Sequence, residues 1–220
     1  MAASIKITES KFTYNGMGYF RHNAHNLVLG TWGKKKSPLV GPHYVQDEGR
    51  IPAPHMEVRK ATSVTIDFSQ TSQTDIGADI VVPGFGKLGP AALLERGRNG
   101  HLALVKFEVE NLVAAINTSP VVLEGLCNSD EPRVVGGIWL VVSAEIGRTI
   151  SNSGSLSLAG LVNGVAVKGD VTSGSSSEVI CEIEPGSAFA YMLFEPKWAE
   201  HMKRNRTRVI RCEDDLKGLN

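Results

Sequence analysis

The strongest constraint on this chain is a run of alternating residues between positions 64 and 82. Val64, Ile66, Phe68, Ile76, Ala78, Ile80 and Val82 fall on one side of a period-two ribbon, and Asp67, Ser69, Thr71, Gln73, Asp75 and Asp79 fall on the other. Successive side chains of a strand point to opposite faces, so this pattern predicts extended chain with one apolar and one polar side. Gln70, Ser72 and Thr74 interrupt the middle of the apolar side. One long strand and two shorter strands joined by a polar bend both satisfy the pattern. Either way the segment belongs in a sheet.

Other segments extend that reading. Residues 101–112 set Val105, Phe107 and Val109 against Lys106, Glu108 and Glu110. Residues 136–150 place Ile138, Leu140, Val142, Ala144 and Ile146 on one face and Trp139, Val141, Ser143 and Glu145 on the other. Shorter strand pieces are expected at 155–159, 165–171, 179–183 and 188–194. Residues 90–96 read as a short helix, with Pro90 at its first position and Gly97 past its end. Residues 112–126 are apolar at helical spacing, and Pro120 must either start a new helix or end the first. The first 60 residues read as irregular, with extended candidates at 5–13 and 26–29 and a basic turn, Trp32-Gly33-Lys34-Lys35-Lys36. Residues 197–211 read as a basic, helix-compatible tail.

The expected fold class is therefore α+β: a twisted, mainly antiparallel β-sheet with a few short helices. A chain of 220 residues suits one core. One domain is expected in residues 1–197, followed by a basic tail at 198–220 whose regulatory role is open.

Composition excludes several function classes. Lys and Arg number 23 and Asp and Glu 23, so no global field draws the chain to nucleic acid, which is not an expected partner. Cys127, Cys181 and Cys212 form no CxxC pair, which argues against a disulfide framework or structural zinc. The N-terminus lacks the basic start and apolar run of an export signal, and no window approaches the run of about 18 apolar residues that a spanning helix needs. A cytoplasmic location follows as the expectation. The sequons at Asn117 and Asn205 then read as chance matches.

Catalytic signals are sparse. There is no GxSxG and no HExxH, and the close pair His22 and His25 lacks a third ligand nearby, so no metal and no cofactor is expected. Residues 84–89, GFGKLG, fit the GxGxxG fingerprint of a dinucleotide-binding turn, with Glu108 and Glu110 near the end of the next strand. The helix that follows stops after about two turns, whereas a crossover between parallel strands takes a dozen residues or more. A nucleotide-binding enzyme using residues 84–89 stays as an alternative.

Trp32 beside Lys34, Lys35 and Lys36, with Leu39 and Val40 beyond, combines an interfacial aromatic with positive charge, as a loop touching anionic lipid does. Each lysine contributes about 1 kcal/mol at such a surface. A solvated turn explains the same residues. The second basic cluster, Lys203, Arg204, Arg206, Arg208 and Arg211, is followed by Glu213, Asp214 and Asp215, which fits a solvated helix.

The order of these pieces resembles the pore-forming domain of the gasdermins. Residues 138–145, IWLVVSAE, resemble that family's apolar strand after its central helices, and residues 154–158, GSLSL, its small-residue turn. Residues 178–191, EVICEIEPGSAFAY, are similar to the family's strand ending in IP-x-G-x-x-L-A-F/Y. Residues 26–29 with the Trp32 and lysine turn resemble its lipid-contacting loop, and the N-terminus departs from the family in carrying no basic amphipathic helix.

The resemblance implies a short gasdermin without a large C-terminal inhibitory domain. It implies docking on acidic membrane lipid through Trp32, Lys34, Lys35 and Lys36, and homo-oligomerisation on activation, with an activating protease as a further partner to consider. The membrane-inserting residues it implies are Val64, Ile66, Phe68, Ile76, Ile80, Val105, Phe107, Val109, Ile138, Leu140, Val142 and Ile146. Asp67, Asp75, Asp79, Glu108, Glu110 and Glu145 then line an acidic lumen. A non-lytic interaction module with the same fold is the other alternative.

Overall fold

Alternation governs this chain from its first residues. The structure, a computed structural model, describes residues 4–39, 42–65, 73–76, 80–82, 86–89, 91–92, 103–142, 188–199 and 207–215. In chain order the strands are β1 (Ser4–Ile7), β2 (Lys11–Tyr14), β3 (Met17–Phe20), β4 (Thr31–Lys36), β5 (Tyr44–Arg50), β6 (Val58–Thr65), β7 (Gln73–Ile76), β8 (Ile80–Val82), β9 (Gly86–Leu88) and β10 (Ala103–Val109). Two helices follow, α1 (Leu112–Asn117) and α2 (Pro120–Asn128), and then β11 (Pro132–Val142), β12 (Ala188–Trp198) and β13 (Val209–Asp214).

The spine is the antiparallel pair β11 and β12, each 11 residues long. The sheet forks at both ends of this pair. Near the start of β11, β4 pairs with Pro132, Arg133 and Val134 and carries β5 beyond it, while β13 pairs with the last residues of β12. Near the other end, β10 pairs with β11 from Gly137 to Val142 and carries β6, while Phe20 of β3 meets Tyr191 of β12. Strands β1, β2 and β3 form a meander, and β7 adds to β1 in parallel. The result is an unclosed, mainly antiparallel sheet with few short helices.

Both faces of the spine are covered. Ile138 and Leu140 on one face pack with Val105, Phe107 and Val109 of β10 and with Leu112, Ala115, Ile116, Val122 and Leu126 of the helices. Trp139 and Val141 on the other face pack with Leu104, Phe189 and the N-terminal meander. There Trp139 is fully buried, and its ring meets Phe12 at 5.5 Å and Tyr19 at 5.5 Å in edge-on geometry. This explains why residues 136–142 read as nearly continuously apolar: a strand buried on both faces needs no polar side.

Pro120 settles its ambiguity by starting α2 at the first helical position, where its missing N–H costs nothing. Three expectations are corrected. The first 60 residues are not irregular, since they supply β1 to β5 and the start of β6, and residues 26–29 run from the end of a short 3-10 helix (Ala24–Asn26) toward a turn rather than forming a strand. Of the two readings left open for 64–82, the single strand is the one corrected: β6 begins at Val58 and runs to Thr65, and separate strands β7, which holds Gln73 and Thr74, and β8 follow. Residues 209–214 are strand rather than helix. They are pinned by the Asn117 amide, which accepts from Val209 N at 2.9 Å and donates to Val209 O at 2.8 Å. Residues 207–215 thus belong to the same sheet and core as the chain before position 198.

Candidate functional site

Four adjacent strands, in the order β6, β10, β11 and β12, place their free ends together. Thr65 pairs with Ala103, Ala103 with Val142, and Leu140 with Ala188. Chain leaves this edge after Thr65 and returns at Ala103, then leaves again after Val142 and returns at Ala188. Residues 66–102 and 143–187 are therefore two excursions from one edge of an antiparallel block.

The residues expected to insert into a membrane sit as follows. Val105, Phe107, Val109, Ile138 and Leu140 are buried on the helix side of the sheet. Val64 and Val142 lie at the ends of β6 and β11, paired through Leu104 and Ala103. Ile76 is in β7 and Ile80 in β8. Ile66, Phe68 and Ile146 lie outside the described residues, as do Asp67, Asp79 and Glu145 of the expected acidic lining. Glu108 is engaged by Lys106 at 2.5 Å and Arg59 at 3.1 Å, and Glu110 by Arg59 at 3.4 Å. Burial opposes ionisation of Glu108, but the hydrogen bonds and charges of Lys106 and Arg59 prevail and hold its carboxyl below the usual range.

The expected lipid-contacting turn is instead strand β4. Trp32 is 7% exposed and Lys35 4% exposed, so neither is presented to a surface. The cause is register: antiparallel pairing on both sides of β4 sends Trp32 beneath α2 and Lys35 into a charge cluster. Lys34 reaches Asp130 at 3.3 Å, and Lys36 is half-buried.

That cluster is the main polar feature of the interior. Lys35 Nζ donates to Asp215 Oδ2 at 2.8 Å, and Arg133 Nε donates to the same oxygen. Arg133 also lies 3.8 Å from Glu195, which in turn meets Lys197 at 2.7 Å. Burial disfavours the Asp215 anion, yet the hydrogen bonds and charges of Lys35 and Arg133 outweigh it and lower its pKa. A cleft of about 700 Å³ runs beside the cluster, with Arg211 and Glu213 on its rim. Acid and base alternate along it, so the groups neutralise one another rather than build an anion site.

Catalytic geometry is weak among the described residues. His55 Nδ1 lies 2.5 Å from Ser119 Oγ, but that hydroxyl donates to Ala115 O at 2.8 Å. The imidazole therefore donates to the serine through Nδ1 and takes no proton from it. Burial pushes the Cys212 thiol up to about 12, far from a reactive thiolate. No group of three or more metal-ligating side chains occurs among the described residues. The tail of the glycine motif, Gly86 to Leu88, is β9, paired antiparallel with β8, whereas a dinucleotide turn passes from strand into helix. No helix among the described residues is long and apolar enough to cross a membrane.

Sequence reasoning missed the Lys35, Arg133 and Asp215 cluster. No spacing signal joins residues so far apart, and Asp215, the last of three consecutive acids after Glu213 and Asp214, carries no mark that sets it apart. Comparison of the chain with protein-family models, curated proteins and solved structures finds no match. What the fold defines is a class of architecture: an α+β protein built on an unclosed, mainly antiparallel sheet.

Proposed function

We infer that the chain is a gasdermin-like pore former. It docks on acidic lipid, extends residues 66–102 and 143–187 as two β-hairpins, and assembles into an oligomeric ring. The single observation that supports this reading is the shared edge from which both excursions leave. Each excursion is longer than the two spanning strands of about 9–11 residues and a turn that a membrane hairpin requires. Continuing β6, β10, β11 and β12 into them gives four neighbouring antiparallel strands per protomer. Side-by-side copies then pair every backbone group in a closed barrel, the condition for strands to cross lipid.

In this reading the buried positions of Trp32 and Lys35 belong to the state before membrane docking. Exposing them requires β4 to part from β5 or β11 and the Asp215 pairing to break. A non-lytic module with the same fold is the second reading, favoured by that same burial, which leaves Lys34 and Lys36 as the accessible part of the basic strand.

The test is dye release from phosphatidylserine-containing and purely zwitterionic vesicles, using the full chain before and after limited proteolysis. A second arm places an environment-sensitive dye on single cysteines at Val165, Ala166 and Val167 in turn. Insertion predicts release from the anionic vesicles and a period-two alternation of dye response. No release under any condition, with no alternation, overturns the proposal in favour of the non-lytic module.

A further inference from the structure

A cavity of about 310 Å³ opens between β4, β5 and the start of α2, with Trp32, Gly49, Arg50, His55, Pro120 and Val121 among the residues around it. We propose that it is a binding site for a small amphiphilic carboxylate, a short acyl chain ending in an anionic head. The volume lies at the small end of the range for ligand pockets, about 300–1,000 Å³.

Two independent features call for an anion here. The Trp32 indole Nε1–H is buried and has no hydrogen-bond partner. A buried donor left unpaired is costly, and a ligand acceptor recovers that cost. Gly49, one of the residues around the cavity, packs against this edge of the indole, and a Cβ there stands 3.0 Å from Nε1. The second feature is the N-terminus of α2, a helix of 9 residues whose cap residue, Ser119, makes no side-chain cap hydrogen bond. Its hydroxyl is committed to Ala115 O and to His55 instead. The first-turn N–H groups at Val121 and Val122 lack intrahelical acceptors by construction and lie at the positive end of the helix dipole.

Charge and shape narrow the ligand further. Arg50 brings a guanidinium to the rim, and Glu48, two residues away on the same strand, lines it as well. Glu48 formally balances Arg50, so the positive potential that remains is the partial charge of the α2 N-terminus, which suits a monoanion better than a dianion such as phosphate. Pro52, Pro120, Val121 and Val122 give the lining its apolar character. Val121 is 76% exposed, which is unusual for a large aliphatic side chain beside a cavity and suits contact with an acyl chain. His55 is anchored from both sides: its ring is held through Nδ1 by Ser119, and its backbone carbonyl accepts from Asn111 Nδ2 at 3.0 Å.

The proposal is independent of pore formation and is tested on the full chain without lipid. The ¹H–¹⁵N spectrum of the protein carries indole signals from Trp32, Trp139 and Trp198, and the signal missing in Trp32→Phe assigns Trp32. Octanoate is expected to shift that signal saturably. Octanol is expected to bind about tenfold more weakly or worse, because it lacks the charge that makes a strong hydrogen bond, and acetate and inorganic phosphate are expected to leave the signal in place. Arg50→Gln, at an exposed position, tests the charge without disturbing the core. It is expected to weaken octanoate about tenfold and leave octanol unchanged. No movement of the Trp32 signal up to the solubility limit of octanoate overturns the proposal, as does equal binding of octanoate and octanol, or an unchanged affinity in Arg50→Gln.

Discussion

The ammonium of Lys35 lies 2.8 Å from the carboxylate of Asp215, a residue 180 positions later, and both side chains are almost wholly buried. The pair joins β4 to the residue just past β13, with Arg133 of β11 donating to the same oxygen. It closes one fork of the sheet. Breaking such a pair by removing one partner is expensive, because the other charge stays in the interior unpaired. Asp215→Asn is therefore expected to cost about 3–5 kcal/mol, and Lys34→Ala, which breaks a pair with a largely exposed Asp130, less than about 1 kcal/mol. Urea denaturation of the two variants beside the parent chain measures both, and equal losses contradict the account.

The same cluster sets an acid limit. Asp215, Glu195 and Glu108 all have pKa values lowered in the folded chain: burial works against each, and the hydrogen bonds and charges of neighbouring Lys and Arg residues prevail. A lowered carboxyl pKa contributes stability that is complete above the unfolded value, about 3.9 for Asp and 4.3 for Glu, and is lost as pH falls through the folded value. Asp214 runs the other way, since burial raises its pKa and its contribution improves on acidification. The expected profile is flat from pH 7 to about pH 5, then falls steeply. In Asp215→Asn the steep part is shallower. Melting temperature against pH for the two proteins reads this directly, and parallel acid limbs rule the cluster out as their source.

Much of the sheet was legible because alternation survives in single strands. Val105, Phe107 and Val109 share a buried face as their spacing required, and so do Ile138 and Leu140. Pro120 marked the helix start by its missing donor. What alternation cannot supply is the environment of each face. Lys106 was assigned to a polar side, yet it is 6% exposed, its ammonium held by Glu108 and lying 5.1 Å from the centre of the Tyr19 ring. The N-terminal meander covers that face, and its short strands are too brief to show a period. One local signal for it was available: Asn15 and Gly16 both take positive φ, 50° and 82°, between β2 and β3, as the Asn-Gly pair of a tight hairpin does. The lysine strand misled for a different reason. Three successive lysines look like solvent-exposed charge, but alternation turns the middle one inward, and its partner lies beyond the reach of any spacing rule.

Trp139 is the joint between the two halves of the second core. It comes from the spine and meets Phe12, Tyr14 and Tyr19 of the meander at 5.5, 5.6 and 5.5 Å. Truncating a fully buried tryptophan removes both its transfer energy and its packing partners, so Trp139→Ala is expected to lose about 3–5 kcal/mol. Because the partners are local to β2 and β3, amide exchange in those strands should accelerate more than in α1 and α2. Uniform acceleration across the chain places the joint elsewhere.

Gly125 offers the sharpest contradiction between local and tertiary preference. It lies inside α2, where replacing glycine by alanine ordinarily gains about 1 kcal/mol of helix stability. Here a Cβ overlaps Cη2 and Cζ3 of the Trp32 ring. That ring cannot retreat, because Gly49 of β5 packs against it from the neighbouring strand, and a Cβ there stands 2.8 Å from Cζ2. Either α2 lifts from the sheet or the indole leaves its rotamer, and overpacking of this kind costs about 1–3 kcal/mol. Gly125→Ala is therefore expected to lower the unfolding free energy and to move the Trp32 fluorescence toward that of a more exposed indole. Gly125→Ala made together with Trp32→Phe should recover part of the loss, since the smaller ring vacates the contested space. If the single variant is stabilised instead, helix propensity outweighs packing at this position and the seating of α2 on Trp32 is looser than the geometry gives it.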